Sequence, residues 1–178
     1  SFCASPELIL KKMKKLILPL LLLPFLIGSC TSVNDHSEEN LALIQNYIQA
    51  VENLDYDSMD AVLDDNYLGL GPSYGDSIGK VDAIKNWKYN VQNLYEKIDY
   101  SRSRNAAIKI MSGENQGDWI SNWAELHITY KDDRGTVIIW ANSIYQIVNG
   151  KIVKSYTFYN EADALNQLGY VFINPNNL

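Results

Sequence analysis

Thiols are nearly missing from this chain. Its 178 residues include two cysteines, Cys3 and Cys30, so nothing beyond residue 30 carries a sulfhydryl. Everything downstream must fold without a disulfide, a cysteine nucleophile or a thiolate metal site. Histidine is equally scarce: His36 falls in a polar, acidic stretch, and His127 stands alone in the rest of the chain. One imidazole without a thiol is a poor zinc set. Asp55, Asp57 and Asp60 lack the glycine and distal glutamate of a calcium loop and read better as helix caps and solvated carboxylates. No metal and no cofactor is expected. Positive charge is short as well. Lys and Arg number 15 against 21 Asp and Glu, and residues 1–29 hold four of the basic residues and one acidic one. The remainder sets 11 basic against 20 acidic residues, a net charge of −9, which repels phosphate backbones and argues against nucleic-acid binding. The longest apolar run, 16–27, is broken by Pro19 and Pro24. It falls short of the roughly 20 residues that span a bilayer.

The N-terminal stretch has an order of its own. Met13, Lys14 and Lys15 precede the apolar run, and small residues follow it; that is the layout of a secretory signal peptide. Its end, Ile27-Gly28-Ser29-Cys30, resembles the lipobox of bacterial lipoproteins, in which the cysteine is acylated and becomes the new N-terminus. The resemblance implies lipid attachment at Cys30 and a place in the bacterial cell envelope, held to a membrane by lipid alone and facing periplasm or cell surface. The other reading is an ordinary cleaved signal with Cys30 as a bystander. Residues 1–12 are expected to be an upstream extension, 13–29 the signal peptide, 30–39 a flexible tether and 40–178 a single domain.

Within that domain, Leu41, Ile44, Ile48 and Val51 recur at helical spacing and predict a helix over 39–54. Asp57 is placed to cap a second, short helix with Met59, Val62 and Leu63 on its buried side. A short strand over 66–70 ends at Gly71-Pro72, and 73–79 reads as a loop. Val81, Ile84, Trp87, Val91, Leu94 and Ile98 form the seam of a third helix over 80–98. A weakly patterned strand covers 99–111. Three clear strands follow, joined by Asp-Asp-Arg-Gly at 132–135 and Asn-Gly at 149–150. The tail, 161–178, reads as a turn of helix and a covering segment. Helices first and strands after give an α+β fold, with helices on one face of a mainly antiparallel sheet.

Both faces of the central strands are apolar. On 119–130 the odd positions carry Trp119, Trp123, Glu125 and His127, and the even ones Ile120, Ala124, Leu126, Ile128 and Tyr130. Three helices cover one face; the other is expected to meet a second copy in an isologous homodimer, or else to lie under the tail.

Taken in order, the pieces resemble the nuclear-transport-factor-2-like superfamily in its SnoaL-like branch. They are Asn46-Tyr47-Ile48-Gln49-Ala50, Asp57, Leu63-Asp64-Asp65-Asn66-Tyr67, Gly71-Pro72, Gly79, Trp119 with Trp123, Asn149-Gly150-Lys151-Ile152, Tyr159-Asn160-Glu161 and Gln167-Leu168-Gly169. The resemblance implies a cone: a strongly curved sheet wrapped on three N-terminal helices around an apolar cavity, a cystatin-like roll that commonly dimerises. Members include ketosteroid isomerases, polyketide cyclases and dehydratases, and others that only bind or scaffold. The isomerases of the family keep a carboxylate base just before the proline that ends the first strand, where this chain has Gly71. They keep a protonated acid on the penultimate strand, where Trp140 aligns to within one residue. Their helix tyrosine matches Tyr47. Cyclases of the SnoaL type tend to carry an acid where the last strand ends, and Asn160 stands there. An isomerase lacking base and oxyanion donor has no route to proton abstraction.

The remaining candidates are Glu125 with His127, a possible acid–base pair on one strand face or merely a polar surface pair, and a set of aromatics and amides. Tyr47, Tyr67, Trp87, Trp123, Trp140 and Tyr159, with Asn142, Asn160 and Ser155, are expected to line the cavity, although tryptophan on a seam or strand is often plain core. An even-length turn at 132–135 sets Trp123, Glu125 and His127 beside Trp140 and Asn142; a bulged turn at Gly135 does not. Three readings stand: a lipid-anchored module holding a small hydrophobic or aromatic ligand without catalysis; a cyclase, dehydratase or isomerase with substitute acid–base residues; a structural envelope protein with a filled cone.

Overall fold

Helix α1, Ser37–Glu52, exists because one stripe of it is buried: Ile44, Ile48 and Val51, with Asn40, Tyr47 and Ala50 alongside. The structure is a computed structural model that describes residues 36–174 and 176. The upstream extension, the signal peptide, Cys30 and the tether as far as residue 35 lie outside the described residues. The helix starts two residues earlier than expected and stops two earlier. Leu54 takes a left-handed conformation (φ 55°), and the Asp55 N–H returns to the Ala50 carbonyl at 2.8 Å, which closes the helix in a Schellman turn.

Asp55, not Asp57, then caps α2, Tyr56–Val62. Its carboxylate accepts from the Ser58 N–H at 3.0 Å and from the Ser58 hydroxyl at 2.6 Å, and these bonds lower its pKa from the ordinary aspartate value. Asp55→Ala is expected to lower the urea unfolding midpoint and Asp57→Ala to leave it unchanged.

Strand β1, Leu63–Leu70, follows without a break; Leu63, expected on the helix, is its buried first residue. The loop expected over 73–79 contains β2, Ser77–Gly79, hydrogen-bonded to β1. Helix α3 is Lys80–Asn93, and Lys80 ties its start to the Leu63 carbonyl and Asp65, both at 3.1 Å, and to Asp60 at 3.4 Å. The seam expected to run to Ile98 is cut short. Lys131 Nζ donates to the Val91 and Gln92 carbonyls at 2.8 and 2.9 Å, and Arg134 Nη2 donates to the Asn93 carbonyl at 2.8 Å. Two cations from a distant turn thus satisfy the last carbonyls and complement the helix dipole. Ile98 is buried, but on the next strand, and Val81 at the seam's other end is 80 % exposed.

Four long strands complete the sheet: β3 Tyr95–Ile110, β4 Gly117–Tyr130, β5 Gly135–Val148 and β6 Lys151–Tyr159. Helix α4, Glu161–Gln167, follows. The strand order is β2-β1-β6-β5-β4-β3. The β1–β6 pair is parallel and the other pairs are antiparallel. The result is the expected α+β class: a curved, unclosed six-stranded sheet with helices packed on it. Irregularities interrupt β3 between Tyr95 and Lys97 and between Ser101 and Arg104, with Arg102 at φ 52°. Such bulges bend and twist the strand that carries them. Asn122 fastens the second by donating to Ser103 Oγ and Asn105 Oδ1, both at 2.8 Å.

The register of β4 on β5 is the even-length one. Tyr130 faces Gly135, Glu125 faces Trp140 and Trp123 faces Asn142. Helix α1 packs on the other face, where Ile120, Tyr145, Ile147 and Ile152 meet Ile44, Ile48, Val51 and Met59. The face carrying Trp123, Ile138, Trp140 and Phe158 points away from the helices, and these side chains are 44, 48, 62 and 51 % exposed. The tail does not cover it among the described residues, since Tyr170, Val171, Phe172 and Ile173 are themselves exposed.

Candidate ligand cavity

Because side chains alternate across a strand, one phase of β4 and β5 faces the helices. That phase carries Leu126, Ile128, Tyr130, Ile139, Ala141, Ser143 and Tyr145. Together with Tyr47 and Val51 of α1 and Trp87 of α3 it encloses a cavity of about 320 Å³. The cone is therefore not filled by its own side chains. Seven tyrosines line the space: 47, 67, 95, 100, 130, 145 and 159. Tyr47 meets Tyr145 edge-on at 5.6 Å between ring centres. Among the described residues, the one charged side chain of the lining is Glu161, at the start of α4.

Burial dominates the electrostatics. It pushes the phenols of Tyr47 and Tyr100 well above the usual tyrosine range and those of Tyr95 and Tyr145 up to about 12. Tyr67, Tyr130 and Tyr159 are raised for the same leading reason. All seven are neutral at physiological pH, where they can donate or accept a hydrogen bond but cannot act as a base. The other polar groups are matched within the wall: Tyr67 Oη with Ser155 Oγ at 2.7 Å, and Ser143 Oγ with Thr157 Oγ1 at 3.1 Å. Among the described residues no buried side-chain polar atom is left without a partner.

Helix α4 roofs one end with Ala164, Leu165 and Leu168. Beyond Ala141 the β6 pairing ends, leaving the Ile138 peptide open at that edge. Gln167 occupies it: its Oε1 accepts from the Ile138 N–H and its Nε2 donates to the Ile138 carbonyl, both at 2.9 Å. A side-chain amide here imitates a neighbouring strand. Gln167→Ala is expected to loosen the roof, seen as faster amide hydrogen exchange at Ile138 with the urea midpoint lowered only slightly.

Of the residues expected at the site, Tyr47, Tyr67, Trp87, Tyr159 and Ser155 line the cavity. Trp123, Trp140 and Asn142 do not; they share the opposite face, where Asn142 donates to Ser121 Oγ at 3.0 Å and the Asn122 carbonyl at 2.9 Å. Glu125 and His127 are bonded to each other at 2.9 Å, with Arg102 at 3.4 Å from the carboxylate. They lie on that same outer face, which removes them as acid–base partners for a cavity-bound molecule. Asn160 caps α4 by accepting from the Asp163 N–H at 3.1 Å, and its neighbour Glu161 reaches the cavity instead. Trp140 aligns with the family's strand acid to within one residue; the inward residues there are Ile139 and Ala141, so no acid stands at that place in either case. At Gly71 the backbone has φ 92°, and an added Cβ would collide with the Thr157 carbonyl. The tyrosines at 95, 100, 130 and 145 are cavity residues that sequence reasoning misses. A signal exists for two of them: Tyr130 and Tyr145 are in phase with the strand positions that, over 119–130 and 136–148, carry no charge.

No family model matches the chain, and no curated protein does. Solved structures do resemble it. A Xanthomonas campestris protein provisionally described as a polyketide cyclase superposes with a TM-score of 0.60 at 13% identity, over 75% of this chain and 98% of that one. A SnoaL-like protein of Shewanella putrefaciens, likewise provisionally described as a polyketide cyclase, gives 0.58 at 12% identity, over 74% and 96%. A Catenulispora acidiphila protein with a ketosteroid isomerase-like fold, in complex with trimethylamine, gives 0.57 at 10% identity, over 72% and 93%. At such identities the likeness is one of fold. The chain has the nuclear-transport-factor-2-like fold of these SnoaL-like and ketosteroid isomerase-like structures.

Proposed function

We propose that this is a lipid-anchored protein of the bacterial cell envelope whose cone holds a small hydrophobic or aromatic ligand without transforming it. The observation that carries the reading is the cavity itself. Its volume of about 320 Å³ falls at the lower end of the range of small-molecule sites, and its walls are mainly aromatic rings, aliphatic side chains and matched hydroxyls, with Glu161 the one charged side chain among the described residues. Tyr47, Tyr67, Trp87 and Tyr159 are the proposed contacts, joined by Tyr95 and Tyr145. That the Catenulispora protein holds trimethylamine supports the use of this fold as a container. Cys30 is the proposed point of acylation, and the bare sheet face around Trp140 the proposed homodimer surface.

Native mass spectrometry of the purified protein tests the ligand and the dimer together. The expected spectrum is a dimer that carries a small organic mass. An empty monomer overturns both. Trp140→Glu sets a charge in the centre of the proposed interface and is expected to weaken dimerisation by about a hundredfold or more in sedimentation equilibrium, with the circular dichroism spectrum unchanged. For the anchor, the Cys30→Ala chain is expected to lose label from a supplied fatty acid and to leave the membrane fraction.

A second reading is favoured by one side chain. Glu161 is a carboxylate at the cavity mouth, one residue past the strand end where cyclases of this type tend to keep an acid, so it is the candidate acid–base group of a cyclase- or isomerase-type enzyme. Turnover that disappears in Glu161→Gln while ligand binding persists would establish that reading over the first.

A further inference from the structure

We propose that the mouth of the cavity receives a compact organic cation of the quaternary ammonium type, held between the rings of Trp87, Tyr95, Tyr130 and Tyr159 beside the Glu161 carboxylate. This deepens the ligand-holding reading and rests on it. Trp87 and Tyr95 lie 5.9 Å apart at 60°, and Tyr95 and Tyr130 lie 5.6 Å apart at 63°. Rings inclined so steeply form adjacent walls rather than a stack. A cation enclosed by such walls is attracted by each ring quadrupole, and an alkylated ammonium gives up little hydration on entry.

Three further observations point the same way. First, Glu161 belongs to the same lining as these rings. The Tyr159 phenol is raised first by burial and then by Glu161, Tyr130 and Asp76, and Tyr95 is raised by burial and then by Tyr130 and Tyr159, as expected of close neighbours. Second, no Lys or Arg lines the cavity among the described residues. Arg134 acts on Tyr130 but has partners of its own. Its guanidinium donates to the Lys131 carbonyl at 2.9 Å and the Asn93 carbonyl at 2.8 Å, with Asp132 at 3.7 Å. Within the lining a cation thus finds a counter-charge in Glu161, whereas an anionic ligand finds none among the described residues. Third, the deeper half carries the Tyr67–Ser155 pair, a hydroxyl couple suited to the alcohol or carbonyl at the far end of a choline-sized molecule.

Isothermal titration calorimetry with three probes decides the matter: choline, its neutral carbon isostere in which tert-butyl replaces trimethylammonium, and the uncharged aromatic naphthol. Choline is expected to bind about tenfold tighter than the isostere. Glu161→Gln, an exposed site whose change leaves packing intact, is expected to remove about threefold of that preference without altering isostere affinity, and Tyr130→Leu to remove more. Equal binding of choline and isostere, or binding of naphthol without choline, overturns the cation proposal and leaves the ligand-holding reading standing. If none of the three binds, both fall.

Discussion

Alkali is expected to unfold this protein between about pH 10 and 12, and the buried phenols are the cause. Below the lower limit these buried tyrosines are neutral in the folded and unfolded chain alike, so their burial carries no protonation penalty. Above it the unfolded chain ionises, while the fold keeps Tyr95 and Tyr145 protonated until about 12. The unfolded state then binds fewer protons, and stability falls with rising pH by about 1.4 kcal/mol per unit for each such tyrosine. Over that window the two together remove on the order of 5 kcal/mol, comparable with the whole stability of a domain of this size. Tyr47 and Tyr100, held higher still, add to the slope within that window and extend it beyond. Far-ultraviolet circular dichroism and the ionisation of the cavity tyrosines should change together in one cooperative step. Tyr145→Phe, which removes one of the titrating groups, should move that step to higher pH. Early, gradual ionisation of the cavity tyrosines in an intact fold would mean that water already reaches the cavity walls, and the dry, neutral interior would have to be abandoned.

That interior is only half legible in the sequence. The helix stripe at Ile44, Ile48 and Val51 and the period of β4 and β5 are plain, because a residue's neighbours at three, four or two positions carry the signal. What stays hidden is whatever distant groups decide. Leu94 and Ile98 continue the spacing of helix α3, so the pattern extends it to Ile98. Its end is set by Lys131 and Arg134, some forty residues on, whose cations take the final carbonyls. The inward face of the sheet is hidden for another reason. Trp123 and Trp140 are tryptophans, the largest ring type, and their size suggests the cavity. Yet they alternate in phase with Glu125, His127 and Asn142, and a face that carries charge is the one a cone turns outward. Past Asp118 at the strand's start, the phase of Ile120, Leu126, Ile128 and Tyr145 carries none. The cap at Asp55 lies two residues from the expected one because Asp55 and Asp57 are chemically alike, and only the left-handed turn at Leu54 selects between them.

Among the glycine positions with left-handed backbone, Gly71→Ala should cost the most, on the order of 3 to 4 kcal/mol, and for two separable reasons. Gly71 and Gly75 have nearly the same backbone, φ 92° and 91°, a region that any side chain makes strained by roughly 1 to 2 kcal/mol. At Gly75 nothing stands within 4 Å of an added Cβ, so Gly75→Ala should show the strain alone. At Gly71 the same atom falls on the Thr157 carbonyl oxygen of β6, and room can come only from parting β1 from β6, the sole parallel pair of the sheet among the described residues. The difference between the two urea midpoints measures that clash. This position is also where the resemblance places the base of family isomerases. If the strands are shut against any side chain there, Gly71→Asp cannot restore a proton-abstracting carboxylate; it should lower stability at least as far as Gly71→Ala and gain no isomerase activity. A Gly71→Asp protein as stable as its parent and newly able to shift a double bond next to a carbonyl would show that this end of the cone is open after all. The ligand would then lie within reach of residue 71, and the cavity would be an isomerase site that lacks one residue rather than a container.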